Sequence, residues 1–113
     1  MAGPVYLQGE VLLALLAFSD GGGAKRRPVL VVRDFGDADL LVVPVTSHAA
    51  RVAADVALSE WQSAGLKLPS TVRTEKLATI GKSCVTKKLG IVQPADLKKL
   101  RETWAAVFKQ ILN

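Results

Sequence analysis

The stretch "RRPVLVVRDFGDADLLVVPVTSH", residues 26–48, decides the fold class. "PVLVVRD" is β-branched and apolar throughout, the pattern of a strand buried on both faces, and Pro28 opens it where a missing N–H donor is tolerated. "DFGDAD" is a hairpin-like turn. "LLVVPVTSH" reads as the next strand, and its Pro44 implies a sheet edge or a bulge near the point where Thr46 and Ser47 emerge.

Working outward toward the N-terminus, Gly9 and Glu10 precede "VLLALLAFS", a buried strand rather than a helix because the turn-rich "SDGGGAKRR" follows it. "GGG" at 21–23 lacks the Lys-Ser/Thr of a phosphate-binding loop and reads as a flexible hairpin tip. Toward the C-terminus, residues 49–69 are less regular, with "SEWQSAG" as a single helical turn from Ser59 to Gly65. "STVRTEKLATI" has the Thr and Val content of a strand, whose two-residue period sets Thr71, Arg73 and Glu75 on one face. "KKLGIV" is a last short strand. Pro94 and Asp96 then sit where a first-turn proline and a dipole-favoured carboxylate belong, opening a helix through Leu112. Leu97, Leu100, Trp104, Val107, Phe108 and Ile111 recur at helical spacing, so one stripe is expected to pack against the sheet. Several short strands followed by one amphipathic helix specify a small antiparallel barrel or half-barrel covered by a helix, mainly β in class.

The 113 residues suffice for one domain, 1–113, with one modest core. Fifteen Lys and Arg against ten Asp and Glu give a formal charge of +5, which favours an anionic partner such as nucleic acid or an acidic protein. The longest apolar run, Val11 to Phe18, is far shorter than the roughly 20 residues of a membrane span. No Lys or Arg precedes residue 25, so a secretory leader's charged region is missing and a cytoplasmic protein without membrane association is expected. Cys84, the single cysteine, excludes an intramolecular disulfide and is expected to be a small buried hydrophobe.

The pattern offers little for metal or triad chemistry: His48 is the one histidine, it has no HxH or HExxH partner, and no metal or cofactor is expected. What remains is a set of cations and hydroxyls at strand ends. Lys25, Arg26 and Arg27 stand before one strand, Thr46, Ser47 and His48 at the end of another, and Arg73 with Glu75 in a third. Guanidinium forks bind phosphate oxygens in pairs and hydroxyls complete such a cradle. Three plainer readings stand beside this one. The "KRR" run can be a solvated turn, Thr46 and Ser47 a turn cap, and Arg73 with Glu75 a surface pair. His48 can likewise be a solvated loop residue.

Taken in order, "GEV", "RRPVLVV", "VVPVTSH", "GLKLPSTVR", "EKLATI", "KKLGIV" and the terminal amphipathic helix resemble the MazF/PemK (Kid) family of type II toxin-antitoxin ribonucleases, from Gly9 nearly to the last residue. The resemblance implies an SH3-like antiparallel barrel of the CcdB/MazF/Kid type, a homodimer, and cleavage of single-stranded RNA that leaves a 2′,3′-cyclic phosphate and a 5′-hydroxyl. It also implies a cognate antitoxin whose acidic segment occupies the RNA groove. By residue, it places Arg27 on the arginine of the family's Arg-Pro motif and Thr46 on the threonine of its Pro-x-Thr-Ser motif. Both are active-site positions in the family, and Arg73 and Glu75 fall on its Arg-x-Asp pair of acid and base, so Arg27, Thr46, Arg73 and Glu75 are the expected catalytic residues, with Glu75 as the base: Glu keeps the carboxylate but lengthens its reach. Lys25, Arg26, Ser47 and His48 are the expected substrate contacts. Where many members carry Gly-x-Glu-Gln, this chain has "DGGGAK". Two other functions suit the same barrel: a CcdB-like poison that binds gyrase, and a non-catalytic RNA-binding barrel. The Arg-Pro and Pro-x-Thr-Ser motifs argue against the first, and an aromatic content of only 5% against the second, since such binders stack bases on several exposed rings.

Overall fold

A computed structural model describes residues 3–17 and 23–113. Seven strands, β1 (Glu10–Ala17), β2 (Ala24–Arg33), β3 (Asp39–Thr46), β4 (Asp55–Ala57), β5 (Thr71–Arg73), β6 (Ala78–Gly81) and β7 (Val85–Ile91), are followed by one helix, α1 (Pro94–Leu112). A single 3-10 turn, Lys82–Cys84, joins β6 to β7. All pairings are antiparallel, in the order β4-β5-β3-β2-β1-β7, with β6 also on β3.

The barrel follows from that order. β6 pairs with β3 at one side of the central three strands and β7 with β1 at the other, while only three residues separate β6 from β7. The sheet must therefore curl until its two sides meet. Alternation then splits the apolar side chains. Leu12, Ala14, Val29, Val31, Leu40 and Val42 face inward with Ile80 and Val85, whereas Val11, Leu30, Val43, Val45, Val56 and Val72 face the other way, toward Leu100 and Trp104 of α1. Both faces of β1–β3 are thus buried, which is why these strands read as continuous apolar runs rather than alternating ones. Each such Leu or Val contributes about 1.5–3 kcal/mol by leaving water.

Pro44 sits where β3 changes partners, after Val42 has paired with β6 and before Val45 pairs with β5. At this irregular point Pro44 pairs with neither β5 nor β6, so its absent N–H breaks no ladder pairing on that side.

Four expectations are corrected. "KRR" is not a turn: β1 extends to Ala17 and gives β2 a ladder partner as far back as Ala24, so Leu16 faces Lys25 and Ala14 faces Arg27. The hairpin tip expected at 21–23 falls mostly outside the described residues. "STVRTEKLATI" is not one strand, because the Lys76 N–H bonds the Arg73 carbonyl and the buried Thr74 hydroxyl bonds Ala54 O at 2.6 Å, turning the chain between β5 and β6. Glu75 therefore stands exposed in that turn and not on a strand face with Arg73. The helical stripe is buried at Leu100, Trp104 and Val107, but Phe108 and Ile111 at its end are exposed. Finally, Cys84 is only half buried. The "SEWQSAG" segment forms successive turns, ending at Gly65 with φ +81°.

That segment is docked tightly. A Cβ on Gly65 would stand 2.0 Å from Leu89 O, and one on Gly90 2.6 Å from the Ala64 carbonyl, so two backbones meet where only glycines fit. Asp96, buried at the start of α1, accepts from the Ser59 and Glu60 N–H groups and from the Ser59 hydroxyl at 2.8–3.0 Å. Its carboxylate serves this loop rather than its own helix alone. Elsewhere, the buried Asp34–Lys82 pair, at 3.0 Å, ties the β2–β3 turn to the 3-10 turn. Among the described residues no helix is long and apolar enough to cross a membrane.

Candidate active site

The inward face of β1–β3 is packed at Leu12, Val29 and Val31, but it continues along the hairpin beyond the closed part of the barrel. There it becomes the floor of an open groove of about 510 Å³, to which β1 gives Leu16, β2 gives Arg27 and β3 gives Pro44 and Thr46. Ser47 and His48 follow directly from β3. The opposite wall is Lys67, Leu68 and Ser70, from the loop pinned by Gly65, Gly90 and Asp96, with Arg73 at the end of β5.

Three strands and a docked loop therefore bring Arg27, Thr46, Ser47, His48 and Arg73 to one concavity. Lys25, Arg26 and Glu75 are exposed and do not line it. Arg26, opposite Leu15, is on the other face of the ribbon from Arg27. Sequence reasoning did not single out Lys67, Ser70 or Asp55. Their place depends on long-range docking of the 58–70 loop and on the β4–β5 pairing, neither of which leaves a local pattern.

Thr46 caps a turn and also lines the groove. Its Oγ accepts the His48 N–H at 3.2 Å, closing a small turn, and the hydroxyl proton remains a donor. Arg73 is paired not with Glu75 but with Asp55, its ladder partner on β4, at 3.7 Å from Nε. The Asp55 side chain is 2% exposed and that of Arg73 31%, so the acid is an interior anchor and the guanidinium reaches outward into the groove. Asp55 also accepts the Arg51 N–H at 3.0 Å. Engaging Nε from behind leaves the two terminal nitrogens as a fork for an anion.

Among the described residues, those lining the groove include no Asp or Glu; the ionisable ones are Arg27, His48, Lys67 and Arg73. Also among the described residues, no three His, Cys, Asp or Glu side chains stand close enough together to hold a metal ion. The groove is therefore cationic, and hydroxyls and one imidazole stand among its lining residues.

No curated protein matches the chain significantly in sequence. The family described as PemK-like, MazF-like toxin of type II toxin-antitoxin system matches residues 7–108. Similar solved structures include an endoribonuclease in complex with its cognate antitoxin from mycobacterial species, 25% identical over 95% of this chain and 96% of that one, with a TM-score of 0.73. The Mycobacterium tuberculosis toxin MazF-mt6 is 23% identical over 88% and 96%, with a TM-score of 0.72. In a Deinococcus radiodurans MazE-MazF crystal structure, the matching chain is 18% identical over 95% and 98%, with a TM-score of 0.76. The family match spans every strand described above and most of the helix, and on that ground the chain belongs to the PemK/MazF family of type II toxin-antitoxin toxins.

Proposed function

We propose that this chain is an endoribonuclease that cuts single-stranded RNA by attack of the substrate's own 2′-hydroxyl on the adjacent phosphorus, giving a 2′,3′-cyclic phosphate and a 5′-hydroxyl. The observation that carries the reading is the convergence of Arg27 and Arg73, from separate strands, on one groove with the Thr46 and Ser47 hydroxyls. A phosphate between the two guanidiniums gains charge as the phosphorane forms. Fixed donors aimed at that charge stabilise the transition state more than the ground state. Both arginines remain protonated throughout, so their work is electrostatic. The nucleophile comes with the substrate, so the chemistry requires no activated water, covalent intermediate or metal hydroxide.

As the P–O2′ bond forms and the P–O5′ bond breaks, a proton must leave the 2′-hydroxyl and one must reach the departing 5′-oxygen, delivered by the protonated base or by water. His48 lines the groove and Glu75 does not, and proximity comes before basicity in choosing a base, so His48 is the first candidate. Glu75 could act only if the 73–76 turn carried its longer side chain to the rim.

The cognate partner in this reading is an antitoxin whose acidic segment lies in the cationic groove and blocks RNA, as the net charge of +5 favours. The working form is a homodimer, in keeping with the family, and acts in the cytoplasm. Incubating the pure protein with mixed-sequence RNA and mapping new 5′ ends tests the proposal. Reproducible cleavage sites with 5′-hydroxyl termini are expected; RNA bound but left intact would point to the non-catalytic barrel, and gyrase inhibition without cleavage to the CcdB-like poison.

A further inference from the structure

A second depression, of about 350 Å³, opens directly beside the groove and shares Ser47, His48 and Ser70 with it. Its character is different. Whereas Arg27, Lys67 and Arg73 line the first, no Lys, Arg, Asp or Glu lines the second among the described residues. Its lining is mostly small or apolar and includes Ala50, Ala57, Pro69 and the half-buried Trp61. Trp61 is firmly placed: its carbonyl accepts the Ala64 and Leu66 N–H groups, its ring packs on the main core, and Asp96 holds the two residues before it.

We infer that this depression is a nucleobase subsite, in which the base of the nucleotide next to the scissile phosphate lies against Trp61, with Ser47 and His48 at its edge. The inference rests on the RNA-cleaving function proposed above. A nucleotide has an anionic part and a flat, uncharged, aromatic part a few bonds apart. A cationic groove continuous with an uncharged, ring-walled depression matches both parts in the same arrangement. Base stacking on an aromatic ring is available to any base, so Trp61 supplies affinity. Choice among bases falls to the remaining polar groups of the lining, Ser47, His48 and Thr71, because Ser59 and Ser70 already direct their hydroxyl protons to Asp96 and the Leu68 carbonyl.

The chain's only other tryptophan, Trp104, is 3% exposed on the buried face of α1, so a ligand-dependent change in indole emission reports Trp61. Two end-labelled probes are titrated, with binding followed by anisotropy and indole emission in parallel. One is a pool of short, mixed-sequence, fully 2′-O-methylated RNAs, which lack the attacking hydroxyl; the other is an abasic oligomer of the same length. Both are expected to bind, but only the base-bearing pool should quench the emission. Trp61→Leu should weaken that pool about tenfold and leave the abasic oligomer unaffected. Trp61→Phe, which keeps a ring in the core, should bind the pool nearly as well as the parent. Binding of the pool without quenching, equal quenching by the abasic oligomer, or equal loss for both probes in Trp61→Leu overturns the subsite while leaving RNA binding intact. If neither probe binds, the RNA reading itself fails and the subsite with it.

Discussion

Arg73→Ala removes a charge from the groove and, at the same time, strips an interior acid of its partner. At 3.7 Å the Arg73–Asp55 attraction is about 4 kcal/mol for an effective dielectric near 20, and exposure of the guanidinium to solvent reduces the net value to about 1–2 kcal/mol. The single variant also leaves the Asp55 carboxylate, 2% exposed, with the Arg51 N–H as its remaining partner, and a loss of about 1–3 kcal/mol in urea unfolding is expected. Cleavage, measured as initial rate on a labelled RNA under single-turnover conditions, should fall by about 10²–10³ if Arg73 stabilises the phosphorane. The double variant Arg73→Ala/Asp55→Asn separates the two effects. Removing the buried charge should restore most of the lost stability and none of the lost rate. Recovery of rate together with stability would mean that Arg73 serves the fold alone, and the electrostatic role assigned to it would be wrong.

Arg27→Ala should lower turnover by a similar factor, whereas Arg26→Ala, on the opposite face, should leave turnover near the parent value; equal losses would refute the facial assignment. His48→Ala should reduce the single-turnover rate by about 10²-fold or more and Glu75→Ala by much less, and the reverse order would return the base role to Glu75. The Tyr6 and Gly36 N–H groups, and then Lys82, hold the Asp34 carboxyl below its usual 3.8. The stability this carboxylate confers is complete above its unfolded pKa and is lost as the pH falls through the lower folded value. Denaturant unfolding should therefore weaken in the range below 3.8, and Asp34→Asn should flatten that acid limb; an unchanged limb would show that other groups govern it.

The barrel was legible because its central strands are buried on both faces, and runs such as Val29–Val32 leave few other structures open to them. The end of β5 was not. "TVRTEKL" has strand composition, yet the Thr74 hydroxyl finds the Ala54 carbonyl and the chain turns, a contact between residues twenty apart that no local pattern encodes. The same fact moved Glu75 away from Arg73. In the groove, Arg27, Thr46 and Ser47 were legible as strand-end cations and hydroxyls. Lys67 and Ser70 were not, because Gly65 against Leu89 and Asp96 against Ser59 bring their segment into place, and neither was Asp55 behind Arg73, which the β4–β5 pairing sets there. Lys25 and Arg26 look equivalent to Arg27 in sequence, but in the folded strand Arg26 is on the other face, and Lys25, on the face of Arg27, lies two residues further out and does not line the groove.

Whether the substrate supplies its own nucleophile is tested by one substitution in the RNA. An oligonucleotide that the protein cuts is made with a single deoxyribose immediately 5′ to the scissile phosphate, all else remaining ribose. Phosphate contacts dominate affinity, so it should bind nearly as well as the parent and yet resist cleavage at that bond. Cutting at the usual bond would contradict the mechanism and require another nucleophile, and the roles assigned to Arg27, Arg73, Thr46 and His48 would have to be withdrawn.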